Sequence, residues 1–193
     1  MMRKMVPLCL ASALAACTSG DGGNQGNGAN EASGNAQAGQ ARTSIAEALA
    51  ASIDHSSFQQ ALQAAGLTDT LRGIGPYTVF APTNAAFDAI PADARSSLTA
   101  PEQRDRLVTL LSYHIVPGTV TAEDLGRAID RGQGGRAQLA TVTGDNLTLS
   151  REGQAIVIAD GAGGRARITH PDQLQSNGVL HSIDAVLMPG GAQ

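Results

Sequence analysis

The 193-residue chain has no tryptophan, two tyrosines and three phenylalanines. Its core must therefore rest on Leu, Ile, Val and Ala, in a sequence that is 42% hydrophobic. Positive charge is scarce: 13 Lys and Arg stand against 17 Asp and Glu, a net charge of −4. Nucleic acid demands clustered cations, so no nucleic-acid partner is expected. Lys4 is the only lysine, so every other cationic side chain is an arginine. No apolar run reaches the roughly 20 residues that span a bilayer. GxSxG and HExxH are absent, and no cysteine sits in a nucleophile motif. No cofactor is expected.

The cysteines are two, Cys9 and Cys17, and both fall in "MMRKMVPLCLASALAAC". Arg3 and Lys4 precede an apolar stretch over residues 5–16, the pattern of a secretory signal. The segment ends in Leu14, Ala15, Ala16 and Cys17, which resembles the bacterial lipobox. In that reading residues 1–16 are removed and Cys17 is lipidated. Losing Arg3 and Lys4 takes the net charge from −4 to −6. Cys9 leaves with the signal, so Cys17 has no disulfide partner. Several acyl chains anchor firmly where one is marginal. The bland alternative is an ordinary signal in which Cys17 is incidental. Thr18 follows the cysteine where Asp would mark inner-membrane retention, which favours the outer membrane over the inner.

Residues 17–41 join the lipidated cysteine to a stretch of Gly, Asn, Ala, Ser and Gln. Such sequence buries too little apolar surface to order itself and reads as a flexible tether. Residues 42–193 carry the periodic patterns of one domain. Ser44 is placed to cap a helix bearing Ile45, Ala48 and Leu49. A second helix carries Phe58, Ala61, Leu62 and Ala65 on one face and stops at Gly66. A strand over 77–81 follows. Thr83 is placed to cap a short helix that ends by Pro91. A helix capped by Thr99, with Pro101 in its first turn, is expected to run to about Leu111. It feeds a strand over 113–116. "TAEDLGRAID" is another short helix. From residue 137 the runs are short and β-like, divided by Gly, Asn and Asp. Helices first and strands later predict an α+β domain with helices on one side of a sheet system.

Three segments together resemble the fasciclin (FAS1) domain family. They are "GPYTVFAPTNAAFDAIP" at 75–91, "LLSYHIVPG" at 110–118 and "SNGVLHSIDAVLMP" at 176–189. The resemblance covers about residues 42–189. It implies a wedge of β-strands flanked by short helices, a binding or adhesive module, and no catalytic site. The residues fit it. Pro82 and Thr83 end a strand and cap a helix, Asn84 is placed to hydrogen-bond backbone at the turn, and Phe87 faces the core. Asn177 and Gly178 tolerate positive φ before a long strand. In that strand Val179, His181, Ile183, Ala185 and Leu187 share one face.

His114, beside Tyr113, is the residue on which the function turns. In an alternating strand, Tyr113 and Ile115 point one way, His114 and Val116 the other. A catalytic histidine needs a nucleophile or a metal and an orienting acid. His55, His114, His170 and His181 have no metal-ligand spacing. The resemblance implies a buried, structural His114 that hydrogen-bonds near the first motif, to Thr83 or Asn84. A ligand or proton-switch role and a catalytic role stay open as lesser readings. Tyr113 and His181 are read as packed rings. "GQGGRA" at 132–137 and "GAGGRA" at 161–166 match GxGxxA, but each leads into a β run and reads as a loop. "NLT" at 146–148 is a glycosylation sequon a bacterial lipoprotein has little use for. "HPDQL" at 170–174 is similar to an integrin-recognition segment of animal fasciclin domains. Pro171 and Asp172 match, and Gln173 stands in place of Ile. These two residues are the candidate recognition loop.

The expected function is a lipid-anchored envelope protein whose one domain binds a surface protein or polysaccharide. The alternative is a periplasmic small-ligand carrier or sensor. A hydrolase would need Ser112, Ser182 or Thr169 bonded to His114 or His181.

Overall fold

A computed structural model describes residues 43–91, 95 and 101–190. The lipobox-like segment with Cys17, the tether up to residue 41 and the Thr99 cap lie outside the described residues. No described helix is long and apolar enough to cross a membrane.

Local chemistry starts most elements where the sequence expects them. Helix α1 (Ile45–Ala51) opens on a capping box, with the Ser44 hydroxyl accepting from the Glu47 amide and the Glu47 carboxylate from the Ser44 amide. A 3-10 turn (Ile53–His55) leads into α2 (Ser56–Ala65), which stops at Gly66 with φ 77°. Helix α3 (Thr68–Arg72) is an addition: it is one turn long with one buried residue, Leu71, too little for a periodic signal. Strand β1 (Tyr77–Pro82) is followed by α4 (Asn84–Asp88). A 3-10 turn (Pro101–Gln103) precedes α5 (Arg104–Tyr113) and β2 (Ile115–Pro117). Helix α6 (Ala122–Arg131) opens on a second capping box, between Thr121 and Asp124. The β half follows as β3 (Arg136–Ala140), β4 (Asn146–Glu152), β5 (Ala155–Ala159), β6 (Arg165–Gln175) and β7 (Gly178–Ile183).

The seven strands form one mixed sheet in the order β2-β1-β7-β6-β5-β4-β3. β1 and β7 are parallel, and every other pair is antiparallel. Pleating sends alternate residues of β1 to opposite faces. Val79 and Ala81 join a core with α1, α2, α3 and α5 through Leu49, Phe58, Leu62, Leu71 and Leu111. Phe80 joins a second core, built by Leu125 and Ile129 of α6 with Leu147, Leu149 and Ile158 of the outer strands.

Three boundaries correct the sequence reading. Helix α5 runs on to Tyr113, and His114 caps it, with its amide donating to the Leu111 carbonyl. The strand begins at Ile115, so Tyr113 and His114 do not alternate across a sheet. β7 ends at Ile183, before Ala185 and Leu187. There Asp184 bonds Arg167 with both its amide and its carboxylate, and the chain turns away from the sheet. β6 continues through 170–174, where a loop was expected. Two register shifts, at Ile168/His170 and His170/Gln173, let the strand pass Pro171, which has no N–H to donate.

Candidate functional site

The two motif histidines lie on either side of β1. Helix α5 carries His114 at its end, fully buried, with the ring centroid 5.9 Å from that of Phe58. Its Nδ1 is 2.8 Å from the Leu110 carbonyl, one turn back along its own helix. Its Nε2 lies 3.0 Å from the Leu187 amide. A carbonyl only accepts and an amide only donates, so the bonds fix the tautomer: Nδ1 carries the proton and Nε2 accepts. The His114 carbonyl in turn accepts from the Phe80 amide of β1 at 2.9 Å. His114 thus clamps the end of α5 to β1 and to the chain after β7. Thr83 and Asn84, its expected partners, are engaged elsewhere. Burial holds the imidazole neutral, at a pKa of about 4.

His181 mirrors it with the opposite tautomer. Its ring stacks on Phe80 at 5.5 Å, its Nε2 donates to the Val120 carbonyl at 2.9 Å, and its Nδ1 accepts from the Asp172 amide at 3.2 Å. Burial lowers its pKa too. Every ring nitrogen of the two histidines is therefore engaged with backbone. Of the hydrolase candidates, the Ser182 hydroxyl receives Gln173 Nε2 and Thr169 donates to the Ser182 carbonyl. Neither pairs with an imidazole. Among the described residues no group of three or more His, Cys, Asp or Glu could hold a metal ion.

The remaining motif residues join elements. The Thr83 hydroxyl caps α4 by accepting from the Ala86 amide. Asn84 works across a gap in sequence: its Oδ1 accepts from the Ser57 amide at 2.9 Å, and its Nδ2 donates to the Ile53 carbonyl at 2.8 Å. No side chain of α2's own N-cap residue does this, so Asn84 caps α2 from α4. Asn84→Ala should cost about 1 kcal/mol, the effect of losing a helix cap and leaving the part-buried Ser57 amide without its acceptor, read from a urea midpoint shift. Phe87 packs its ring 6.4 Å from Phe58. The Tyr113 hydroxyl, on a fully buried ring, accepts from the Gly161 amide at 3.0 Å, and burial raises its pKa. Asn177 Oδ1 accepts from the Ile45 amide, and its Nδ2 donates to the carbonyls of Leu71 and Gly73. Gly178 has no room for a side chain, since a Cβ there would fall 1.8 Å from the Tyr77 carbonyl oxygen.

The sequence model of the Fasciclin domain matches residues 54–189. The chain belongs to the fasciclin domain family. Protein sll1483 of a Synechocystis strain is 39% identical over 146 residues, covering 75% of this chain and 73% of that protein. Immunogenic protein MPB70 of Mycobacterium bovis is 35% identical over 123 residues, covering 64% of this chain and 54% of that protein. The pig transforming growth factor-beta-induced protein ig-h3 is 33% identical over 129 residues, only 17% of its length. A solved FAS1 domain pair from the insect cell adhesion molecule Fasciclin I superposes with a TM-score of 0.68 at 19% identity. That match covers 77% of this chain and 51% of that one, and the fold is shared.

Within the fasciclin fold, Pro171 and Asp172 sit in a bulged strand rather than on a loop, and both are exposed. Asp172 has φ 57°, a left-handed conformation that Asp tolerates better than most residues. Its carboxylate accepts from the Ala122 amide at 2.7 Å, at the first residue of α6. The bond satisfies a free amide of that helix start and suits its dipole. His181 holds the Asp172 amide from the other side. Sequence reasoning missed His55, which is buried. Its Nδ1 lies 2.8 Å from the Ser52 hydroxyl and its Nε2 has no partner. Burial lowers its pKa. Its place before an amphipathic helix gave no signal of that burial.

Proposed function

We propose that the chain is a cell-envelope lipoprotein whose single fasciclin domain binds a partner on a matrix, an envelope or a neighbouring cell. The carrying observation is that the fasciclin match spans the domain while its motif histidines are bonded to backbone. They then serve as architecture that fixes a surface. The solved relative is described as a cell adhesion molecule, which supports adhesion here. Lipid on Cys17 would hold the domain at the membrane, and residues 18–41 would let it reorient. The outer membrane fits Thr18 at the position after the cysteine.

A single small domain binds weakly, and many tethered copies bind well because engagement becomes intramolecular. Beads carrying the full chain at high density should hold envelope fragments at least tenfold longer than single copies in solution. Cys17→Ser should abolish both labelling by a fatty-acid analogue and recovery in the membrane fraction. Beads that fail to adhere would remove the binding reading, and undiminished labelling of C17S would remove the anchor.

A further inference from the structure

The outer half of the sheet has one face in the core and an opposite face that carries polar and charged side chains around a buried Val157. Leu147, Leu149 and Ile158 point inward beside α6. The residues between them form the other face. The registers place Arg136, Ser150, Val157 and Arg167 in one row across four strands. Thr148, Ala159 and Arg165 form the row beside it. Arg136 and Arg167 stand three strand spacings apart, roughly 14 Å.

The charge on this face is opposite to that of the chain. Arg165 and Arg167 share one carboxylate, Glu152, at 2.8 and 3.7 Å. Arg136 is exposed and has no ion pair among the described residues. Three guanidiniums therefore face one carboxylate, in a chain of net charge −4. Asp184 stands at the rim, and its carboxylate accepts the Arg167 amide. Guanidinium matches a planar carboxylate in two parallel hydrogen bonds, which an ammonium does not.

Between the arginines Ser150 and Thr148 offer half-buried hydroxyls, Ala159 is small, and Val157 is buried beneath its neighbours. Among the described residues the exposed large apolar side chains, Ile53, Ile74, Val142 and Leu174, lie outside these two rows. Protein interfaces centre on buried aromatic or aliphatic anchors, and this face has none exposed. A hydroxyl-bearing, arginine-flanked sheet face suits an extended chain of acidic sugars. Resting on the binding-module reading above, we propose that the β3–β6 outer face docks a carboxylate-bearing polysaccharide. The outer guanidiniums pair with uronates about three sugars apart along one chain, and the hydroxyl floor meets the sugar hydroxyls between them. Exposed ion pairs are individually weak, so a repeating polymer that engages several copies is the partner that gains most.

The test uses the full chain and immobilised alginate, a polyuronate, with neutral dextran and polyglutamate as controls. The wild-type chain should bind alginate, lose most of that binding in half-molar salt, and ignore dextran. The double variant R136Q/R167Q should bind at least fivefold more weakly with an unchanged melting temperature. Glu152→Gln, which frees two guanidiniums, should bind about two- to threefold tighter, a gain no misfolding can imitate. Equal binding to dextran, an unaltered double variant, or no gain in E152Q overturns the proposal. Polyglutamate bound as well as alginate assigns the face to an acidic protein and overturns it too. Beads bearing R136Q/R167Q that still hold envelope fragments reject this face and leave the binding module standing. Wild-type beads that hold nothing reject the module itself.

Discussion

His114→Ala should lower the melting temperature by on the order of 10 °C. The substitution leaves the Leu187 amide without its acceptor and the Leu110 carbonyl without the ring N–H, both in a buried site. Each orphaned buried group costs about 1–3 kcal/mol. The void beside Phe58 adds the cavity penalty of a large-to-small change. Together the loss is about 3–5 kcal/mol, a large part of the stability of an ordinary domain. Urea unfolding of wild type and variant reads it as a midpoint shift at constant slope. An unchanged melting temperature would mean that the clamp between α5, β1 and the chain after β7 is not holding the fold. The imidazole would then be free for a ligand.

The second large effect is acid lability above the carboxylate range. Burial lowers the pKa of His55, His114 and His181, and takes His114 to about 4. In the unfolded chain each titrates near its ordinary value of about 6.5. As pH falls from 6.5 toward 4, the unfolded state takes up protons that the folded state refuses. Stability is therefore complete above about pH 6.5 and is lost as pH falls through that window. His114 alone contributes about 3 kcal/mol of this loss. Geometry gives the reason: a second proton on the imidazole would face the Leu187 amide donor. Denaturant unfolding at pH 7, 6, 5 and 4.5 should show a slope of about one proton from His114 in the middle of the window, steepened further by His55 and His181. His114→Gln should remove the His114 proton. Carboxylates held low by helix caps, Glu47 and Asp124, add an acid loss that starts as pH falls through their ordinary values of 4.5 and 3.8, at the bottom of that window and below it. A wild-type curve flat from pH 7 to 4.5 would sink this account.

What was legible in the sequence is what local chemistry decides. Ser44 with Glu47 writes a helix start in four residues, and Gly66 a helix stop in one. The three fasciclin motifs carried the fold because their order is a one-dimensional fact. The partners of the motif residues were not legible. His114 bonds the amide of Leu187, 73 positions on, and an amide is a donor that almost every residue has. No residue type at 187 could have announced it. Asn84 looked like a turn residue, and its work for α2 depends on how two helices pack. The segment 170–174 reads as a loop in the sequence, and Pro171 indeed lacks the N–H that a strand interior uses. The strand survives only because two bulges step the register around the proline. His55 shows the same limit, since its burial follows from what packs over the start of α2.

The parallel pairing of β1 with β7 joins residues 77–82 to residues 178–183, about a hundred positions apart. The start of the domain leans on the same late segment: Ile45 on Asn177, and the Thr43 carbonyl on the Ser176 amide. A polypeptide emerges from its N-terminus, so β1 waits through most of synthesis with β2 as its only available neighbour. The helical half has one side of its core missing for as long. Such sequence-distant pairing closes slowly, because the loop must be ordered before its contacts reward it. The last strand acts as the bolt of the molecule. Until it slides beside β1, that strand keeps one edge open. Once it has, head and tail are locked by the same few backbone bonds.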